Sequence, residues 1–234
     1  MPRTTPLANA FDDTAGDYDA SRRQLIPCFD AFYASVLALL DDLVPAVCQL
    51  RIIDLGAGTG LMSKMILDHL PLAHVTLVDT APSMLDIARR RVARHSHRVT
   101  FVHADLNHYE WARTYDAVVS VLAIHHLNHS DKRTLFARVY AALHRGGRFI
   151  NADQVSGPDE HTERAYRENW LRQVRENGVS EEALNAALGR MAYDIPAPLA
   201  DQMEWLSAVG FAEVACRFDG EMFAVYAGVK RECG

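Results

Sequence analysis

The chain has 234 residues, 49% hydrophobic, 23% charged and 9% aromatic, a composition that excludes wholesale disorder and fits one sizeable domain. Such a length buries roughly 70–75% of the unfolded chain's surface; with Cys28, Cys48, Cys216 and Cys233 forming no C-x-x-C pair and no signal peptide in view, a cytoplasmic setting without disulfides is expected. The formal charge of -6, from 24 Lys and Arg against 30 Asp and Glu, offers no field for nucleic acid, and no run reaches the roughly 18 apolar residues of a membrane span, so the expected partner is a small molecule and the expected state a monomer or homodimer.

In chain order, a polar lead with Pro2 and Pro6 gives way to an apolar-periodic segment from about Leu25 to Val44, predicting a helical cap over 1–48 ahead of a domain at 49–234. Apolar, β-branched runs follow at 50–55, 75–79, 99–103, 115–122 and 148–153, with helical stretches between them. One helix opens at Pro82 and Ser83 and lines up Met84, Leu85, Ala88 and Val92; another follows Ser130 and stops at Gly146 and Gly147. Strands alternating with helices predict a parallel α/β sheet. Residues 158–208 read as an insertion of three helices, the middle one opened by Ser180, Glu181 and Glu182. The chain then resumes as strands at 211–218 and 222–229 around an Asp219-Gly220 turn, predicting an antiparallel pair at the sheet edge. The insertion and the N-terminal segment are the candidate lid.

The most informative segment runs from Ile52 to Gly60, a buried strand entering a glycine-rich turn and then a helix. Its pattern is G-x-G-x-G: Leu61 stands where a dinucleotide fingerprint needs a third glycine, and the Lys and Ser or Thr of a P-loop are missing. Asp79 ends the second strand, about twenty residues past the loop, where a carboxylate can accept both hydroxyls of a ribose. Asp105, just after the third strand, can take a hydrogen bond from an adenine amino group. Helix capping is the alternative use for both acids. Together they point to a nucleoside cofactor.

Residues 54–60, Asp79, Ala104-Asp105-Leu106, the 118–127 segment and Leu143-His144-Arg145-Gly146-Gly147 resemble the successive motifs of class I S-adenosylmethionine (SAM) dependent methyltransferases. The C-terminal part is similar to a group of small bacterial members. The resemblance implies a Rossmann-like seven-stranded sheet, mostly parallel, with an antiparallel last strand. It also implies that Gly56, Ala57 and Gly58 face the methionine portion of the cofactor, Asp79 the ribose, and Asp105 with Leu106 the adenine; Asp54, Thr80, Met84 and Val121 complete the expected cofactor set. Residues 11–19, followed by Arg22 and Arg23, resemble the leading motif that closes over the cofactor, and Tyr18 with either arginine suits the sulfonium and the carboxylate.

For the chemistry, His125 beyond the fourth strand is a candidate base, with His126 beside it. Asn151, Asp153 and Gln154 end the fifth strand, where open α/β sheets bind ligands, and Tyr166, Asn169, Trp170 and Tyr193 of the insertion could wall an acceptor pocket. No H-x-x-x-H spacing predicts a metal site, and the basic run from Arg89 to Arg98 reads as a solvated helix face.

The leading expectation is methyl transfer to a small metabolite, with S-adenosylhomocysteine as product. A second reading keeps the cofactor but has its own amine attack its γ-carbon, releasing methylthioadenosine as azetidine-2-carboxylate synthases of this fold do, with Asn151, Tyr166 or Tyr193 fixing the amine. A third is a non-catalytic SAM-binding regulatory subunit.

Overall fold

The computed structural model describes residues 18–44 and 49–231, with side chains from residue 22 onward. The motif at 11–17, the Tyr18 side chain, Cys48 and Cys233 lie outside that description. The chain begins with α1 (Tyr18–Leu25) and α2 (Phe29–Asp41). The apolar-periodic segment expected from about Leu25 to Val44 holds α2, and the chain breaks between α1 and α2 because Pro27 supplies no N–H and its ring collides with the preceding turn of a continuing helix.

There follow β1 (Arg51–Leu55), α3 (Leu61–His69), β2 (His74–Asp79), α4 (Pro82–Arg91), β3 (Val99–His103), β4 (Tyr115–Val121), α5 (His129–Ala142) and β5 (Leu143–Gln154). The insertion supplies α6 (Glu160–Glu176), α7 (Glu181–Met191) and α8 (Leu199–Val209), and the chain ends in β6 (Phe211–Gly220) and β7 (Phe223–Lys230). The three helices of the insertion and the Ser180 cap, which accepts the Ala183 N–H, are as expected.

The sheet has seven strands in the order β3-β2-β1-β4-β5-β7-β6. All pairings from β3 to β5 are parallel, and β7 runs antiparallel to both β5 and β6. Helices bury both faces, so the strands alternate between two cores: Ile52, Val119 and Ile150 face one, Ile53, Val118 and Phe149 the other. Phe32, Tyr33, Val36 and Leu40 of α2 are fully buried in the first core. Phe32 meets Phe223 and Phe218 edge-on with centroids 6.0 and 6.2 Å away, which makes α2 part of the core.

Two boundaries shift. Helix α5 ends at Ala142, before Gly146 and Gly147, because β5 starts early through a bulge against β4; a Cβ on Gly147 would stand 2.8 Å from His144 O and 3.0 Å from Asp116 O. The hairpin turns at Glu221 and Met222, since Gly220 already pairs with Phe223 and Glu221 takes φ +65°. Asp219 shapes this turn by accepting the Glu221 N–H at 3.2 Å. Among the described residues no helix is long and apolar enough to cross a membrane.

Strand order reverses between β1 and β4, the switch point whose carboxyl end forms a ligand crevice in open α/β sheets.

Candidate functional site

The site grows from the turn after β1. Gly56, Gly58 and Gly60 take φ of +71°, +53° and +74°, a region that costs a residue with a side chain about 1–2 kcal/mol. A Cβ on Gly56 would stand 2.3 Å from Ala123 Cβ, whereas one on Gly58 would meet nothing within 4 Å. Gly56 thus lets the loops after β1 and β4 touch, while Gly58 borders open space. Asp79 locks its strand end to this turn, accepting the Gly58 N–H at Oδ2 (2.7 Å) and the Ala81 N–H at Oδ1 (2.8 Å).

A cavity of about 370 Å³ opens over the loop. Arg22, Asp54, Gly56, Ala57, Gly58, Asp79, Thr80, Met84, Asp105, Leu106 and Val121 all line it, together with Tyr33, Asp131 and Ile195. Among the described residues its wall carries four carboxylates, Asp54, Asp79, Asp105 and Asp131, against the guanidinium of Arg22. Burial pushes the Asp54 carboxyl up to about 6, opposed by the hydrogen bond from Ser63 Oγ at 2.6 Å. Burial also raises Asp79, against its backbone hydrogen bonds. Arg23 points elsewhere: it is exposed, bonds Asp30 at 2.7 Å and lies over the Phe29 ring, which corrects its expected place at the cofactor.

A second cavity of about 90 Å³ adjoins the first and shares Arg22, Leu122 and His126 with it. Helices α1 and α7 close it with Leu25, Arg190 and Met191; His125, Gln154, Trp170, Asp194 and Phe223 complete the wall. Leu122, between the two cavities, holds φ +54°, a conformation a branched side chain adopts only where its surroundings impose it.

His125 is buried at the end of β4. Its Nδ1 stands 2.5 Å from Asp153 Oδ1 and its Nε2 3.6 Å from Asp194 Oδ1, while His126 Nδ1 lies 3.0 Å from that same oxygen. A carboxylate oxygen only accepts, so Asp153 fixes the Nδ1–H tautomer and leaves Nε2 on the cavity side. Burial disfavours the imidazolium, but Asp153 and Asp194 outweigh it, and the His125 pKa is raised. Burial and His125 lower that of His126. Ligand atoms of His125, His126 and Asp194 all lie within 4.8 Å of one another, so this trio could also hold a metal ion.

Other expected site residues fall elsewhere. Asn151 is fully buried behind His125, donating to Tyr226 OH at 2.7 Å, and Tyr226 donates on to Gln202 Oε1 at 2.6 Å. Asp153 likewise stands behind His125, away from the lining of either cavity. Tyr193 is 53% exposed. Tyr166 lines a separate hollow with Asp219 and Glu221, on the far side of Trp170 and Phe223, and Asn169 bonds Glu221 at 2.6 Å. These placements correct the expected catalytic positions of Asn151 and Tyr193 and the acceptor positions of Asp153 and Tyr166. Gln154 and Trp170 line the second cavity.

Sequence reasoning missed Arg190, Asp194, Ile195 and Lys132. The first three come from the end of α7 and the segment that follows it, with no spacing that links them to β4. Lys132 is fully buried on α5 and donates to the carbonyls of Leu127 and Ile195; burial lowers it to about 8, against the pull of Asp153, Asp194 and Asp131.

Residues 52–147 match the methyltransferase domain family. This match, over less than half of the chain, and the fold support a class I SAM-dependent methyltransferase, and the open, acid-lined cavity at Gly58 fits the cofactor of that class. The carboxy-S-adenosyl-L-methionine synthase of Chromohalobacter salexigens is 28% identical over 74% of this chain and 66% of its own. The trans-aconitate 2-methyltransferase of Methylobacterium radiotolerans is 31% identical over 70% of this chain and 63% of its own; the chain thus spans less than two thirds of either relative's length. The DhpI–SAH complex aligns with 99% of this chain and 100% of its own at 18% identity, with a TM-score of 0.64.

Proposed function

We propose that the protein transfers the methyl group of SAM to a small molecule seated in the second cavity. The observation that carries this reading is the junction: the two cavities share Arg22, Leu122 and His126, so an acceptor in the smaller lies beside a cofactor in the larger. When bound, SAM offers a methyl carbon on a sulfonium for in-line displacement, the C–S electron pair staying on sulfur as S-adenosylhomocysteine forms. The chain's part is placement and exclusion of water. Asp79 takes the ribose hydroxyls, Asp105 with Leu106 the adenine, Arg22 the methionine carboxylate, and the remaining carboxylates favour the positive sulfur. His125, oriented by Asp153, receives at Nε2 the proton of an acceptor O–H or N–H.

Asn151, Tyr166 and Tyr193, the residues a cyclase would use to fix the amine, stand outside the cofactor cavity, and the second cavity gives a separate acceptor its own room. Both favour intermolecular transfer over cyclisation, and the His125–Asp153 pair argues against a purely binding role. A relative named for methylating trans-aconitate agrees with a small-molecule acceptor.

The test is mass spectrometry of the nucleosides formed from SAM with and without a panel of small acceptors. S-adenosylhomocysteine that forms only with an acceptor supports the proposal. Methylthioadenosine from SAM alone overturns it in favour of cyclisation, a carboxylated SAM places the protein with its synthase relative, and no calorimetric binding of SAM or S-adenosylhomocysteine at micromolar concentration defeats every SAM-based reading.

A further inference from the structure

Asp194, in the segment after α7, is a carboxylate taken out of water, its side chain only 5% exposed. Among the described residues, neither of its buried oxygens meets a donor in hydrogen-bonding geometry. What it faces is a pair of imidazoles: Oδ1 lies 3.0 Å from His126 Nδ1 and 3.6 Å from His125 Nε2. Ligand atoms of the three residues all lie within 4.8 Å of one another. A buried carboxylate is costly unless it is paired, hydrogen-bonded or bound to a metal.

We propose that His125 Nε2, His126 Nδ1 and Asp194 form a binding site for one divalent transition-metal ion of the zinc type. Zinc bonds to nitrogen and oxygen of about 2.0–2.2 Å, in tetrahedral arrangement, hold ligand atoms about 3.3–3.6 Å apart. The measured separations of 3.6 and 3.0 Å come within a few tenths of an ångström of that range. An outer shell is present as well: Asp153 Oδ1 stands 2.5 Å from His125 Nδ1, the carboxylate contact that fixes the tautomer of a metal-binding histidine and turns its other nitrogen to the ion. Asp153 and Asp194 favour positive charge at His125, against burial and Lys132, and an ion draws on that field as a proton does. Two imidazoles and one carboxylate suit zinc and its neighbours rather than magnesium, which prefers an all-oxygen shell. All three residues line the second cavity, so the fourth position of a three-ligand zinc site opens toward it. The site stands on this geometry and does not depend on the proposed methyl transfer. It goes beyond that reading, because Nε2 has one lone pair and an ion there excludes the proton that the base would receive.

The experiment strips the full chain of metal with a chelator and titrates it with Zn²⁺, and in parallel with Mg²⁺, by calorimetry. The expected result is one Zn²⁺ per chain bound at micromolar concentration or tighter, with no Mg²⁺ bound in the same range. Asp194→Asn and His126→Ala should each weaken Zn²⁺ by at least about a hundredfold, and Asp153→Asn, an outer-shell change, by about tenfold. His95→Ala, which removes a histidine paired with Asp68 on another face, should leave the affinity unchanged. Nitrogen NMR of the histidine rings should show Zn²⁺ shifting His125 Nε2 while Nδ1 keeps its proton, and cooperative urea unfolding shows that each variant is folded. No Zn²⁺ binding, an affinity that survives both Asp194→Asn and His126→Ala, or an unshifted His125 Nε2 would each overturn the site. If Zn²⁺ fails to bind while S-adenosylhomocysteine still forms with an acceptor, the metal site falls and methyl transfer stands; Zn²⁺ bound at the trio without any SAM binding gives the reverse.

Discussion

Trp170 of α6 donates its indole N–H to the backbone carbonyl of Leu25 at the end of α1, 2.9 Å away. The bond joins the helix that carries Arg22 to the insertion that carries Arg190 and Asp194. Nearby, Gln24 Nε2 reaches the carbonyls of Asn177 and Gly178, and Asn177 Nδ2 returns a bond to the Gln24 carbonyl, all at 3.3 Å. The candidate lid is therefore two pieces of chain, far apart in sequence, held together by backbone carbonyls.

Trp170→Phe keeps an aromatic wall on the second cavity but removes the donor to Leu25. Loss of one partly buried hydrogen bond costs about 1 kcal/mol, so the urea midpoint should fall with an unchanged slope. SAM affinity should weaken several-fold as Arg22 loses its support. Calorimetry and urea unfolding on the same preparation check both; unchanged SAM affinity would separate α1 from the cofactor.

The glycine loop separates two kinds of constraint. Gly56→Ala forces a Cβ to 2.3 Å from Ala123 Cβ, so it should cost at least about 3 kcal/mol through overpacking and backbone strain together. Gly58→Ala meets no atom within 4 Å and should cost only about 1–2 kcal/mol in stability. Its methyl group would border the cofactor space, however, and SAM affinity should fall by more than stability does. Thermal unfolding with and without S-adenosylhomocysteine distinguishes the two variants.

The cofactor half of this site was legible because its residues follow strand ends at fixed intervals: the turn after β1, Asp79 at the end of β2, and Asp105 after β3 each follow from local pattern and the switch-point rule. The acceptor half was not. Arg190, Asp194 and Ile195 approach β4 only through the packing of the insertion, and His125 shows its role only once Asp153 from the neighbouring strand stands against it. Asn151 misled for the opposite reason. Its position on β5 is at the carboxyl edge, but Tyr226 on β7 and Gln202 on α8 draw its amide into the core. Local pattern likewise placed a turn at Asp219-Gly220, where strand register carried the pairing on to Phe223.

Lys132 ties the segment after α7 to the turn after β4. Its ammonium donates to Leu127 and Ile195 carbonyls, and the Ile195 N–H in turn bonds the His125 carbonyl at 2.8 Å. Lys132→Met preserves length and removes the donors. The expected result is faster hydrogen exchange at Ile195 and weaker SAM affinity, with less change in acceptor KM, because Ile195 lines the cofactor cavity and not the second. Exchange at Ile195 indistinguishable from the wild type would show that the Ile195–His125 bond holds the segment unaided.

The pH dependence of rate and that of stability should run in opposite directions. Burial alone would lower His125, but Asp153 and Asp194 more than compensate, so its folded pKa lies above the ordinary 6.5. A proton acceptor must be neutral, hence kcat should rise with pH through that raised value. For stability the sign reverses: the folded state holds the His125 proton more tightly than the unfolded chain, so this contribution is complete below about 6.5 and is lost as pH climbs through the folded pKa. Asp153→Asn removes the adjacent charge, which should move the acid limb of the kcat profile to lower pH and flatten the loss of stability between pH 6.5 and the wild-type inflection. Paired kcat profiles and urea titrations of wild type and Asp153→Asn across this range supply the check. An acid limb that stays in place in Asp153→Asn would show that His125 is not the group whose proton limits the rate.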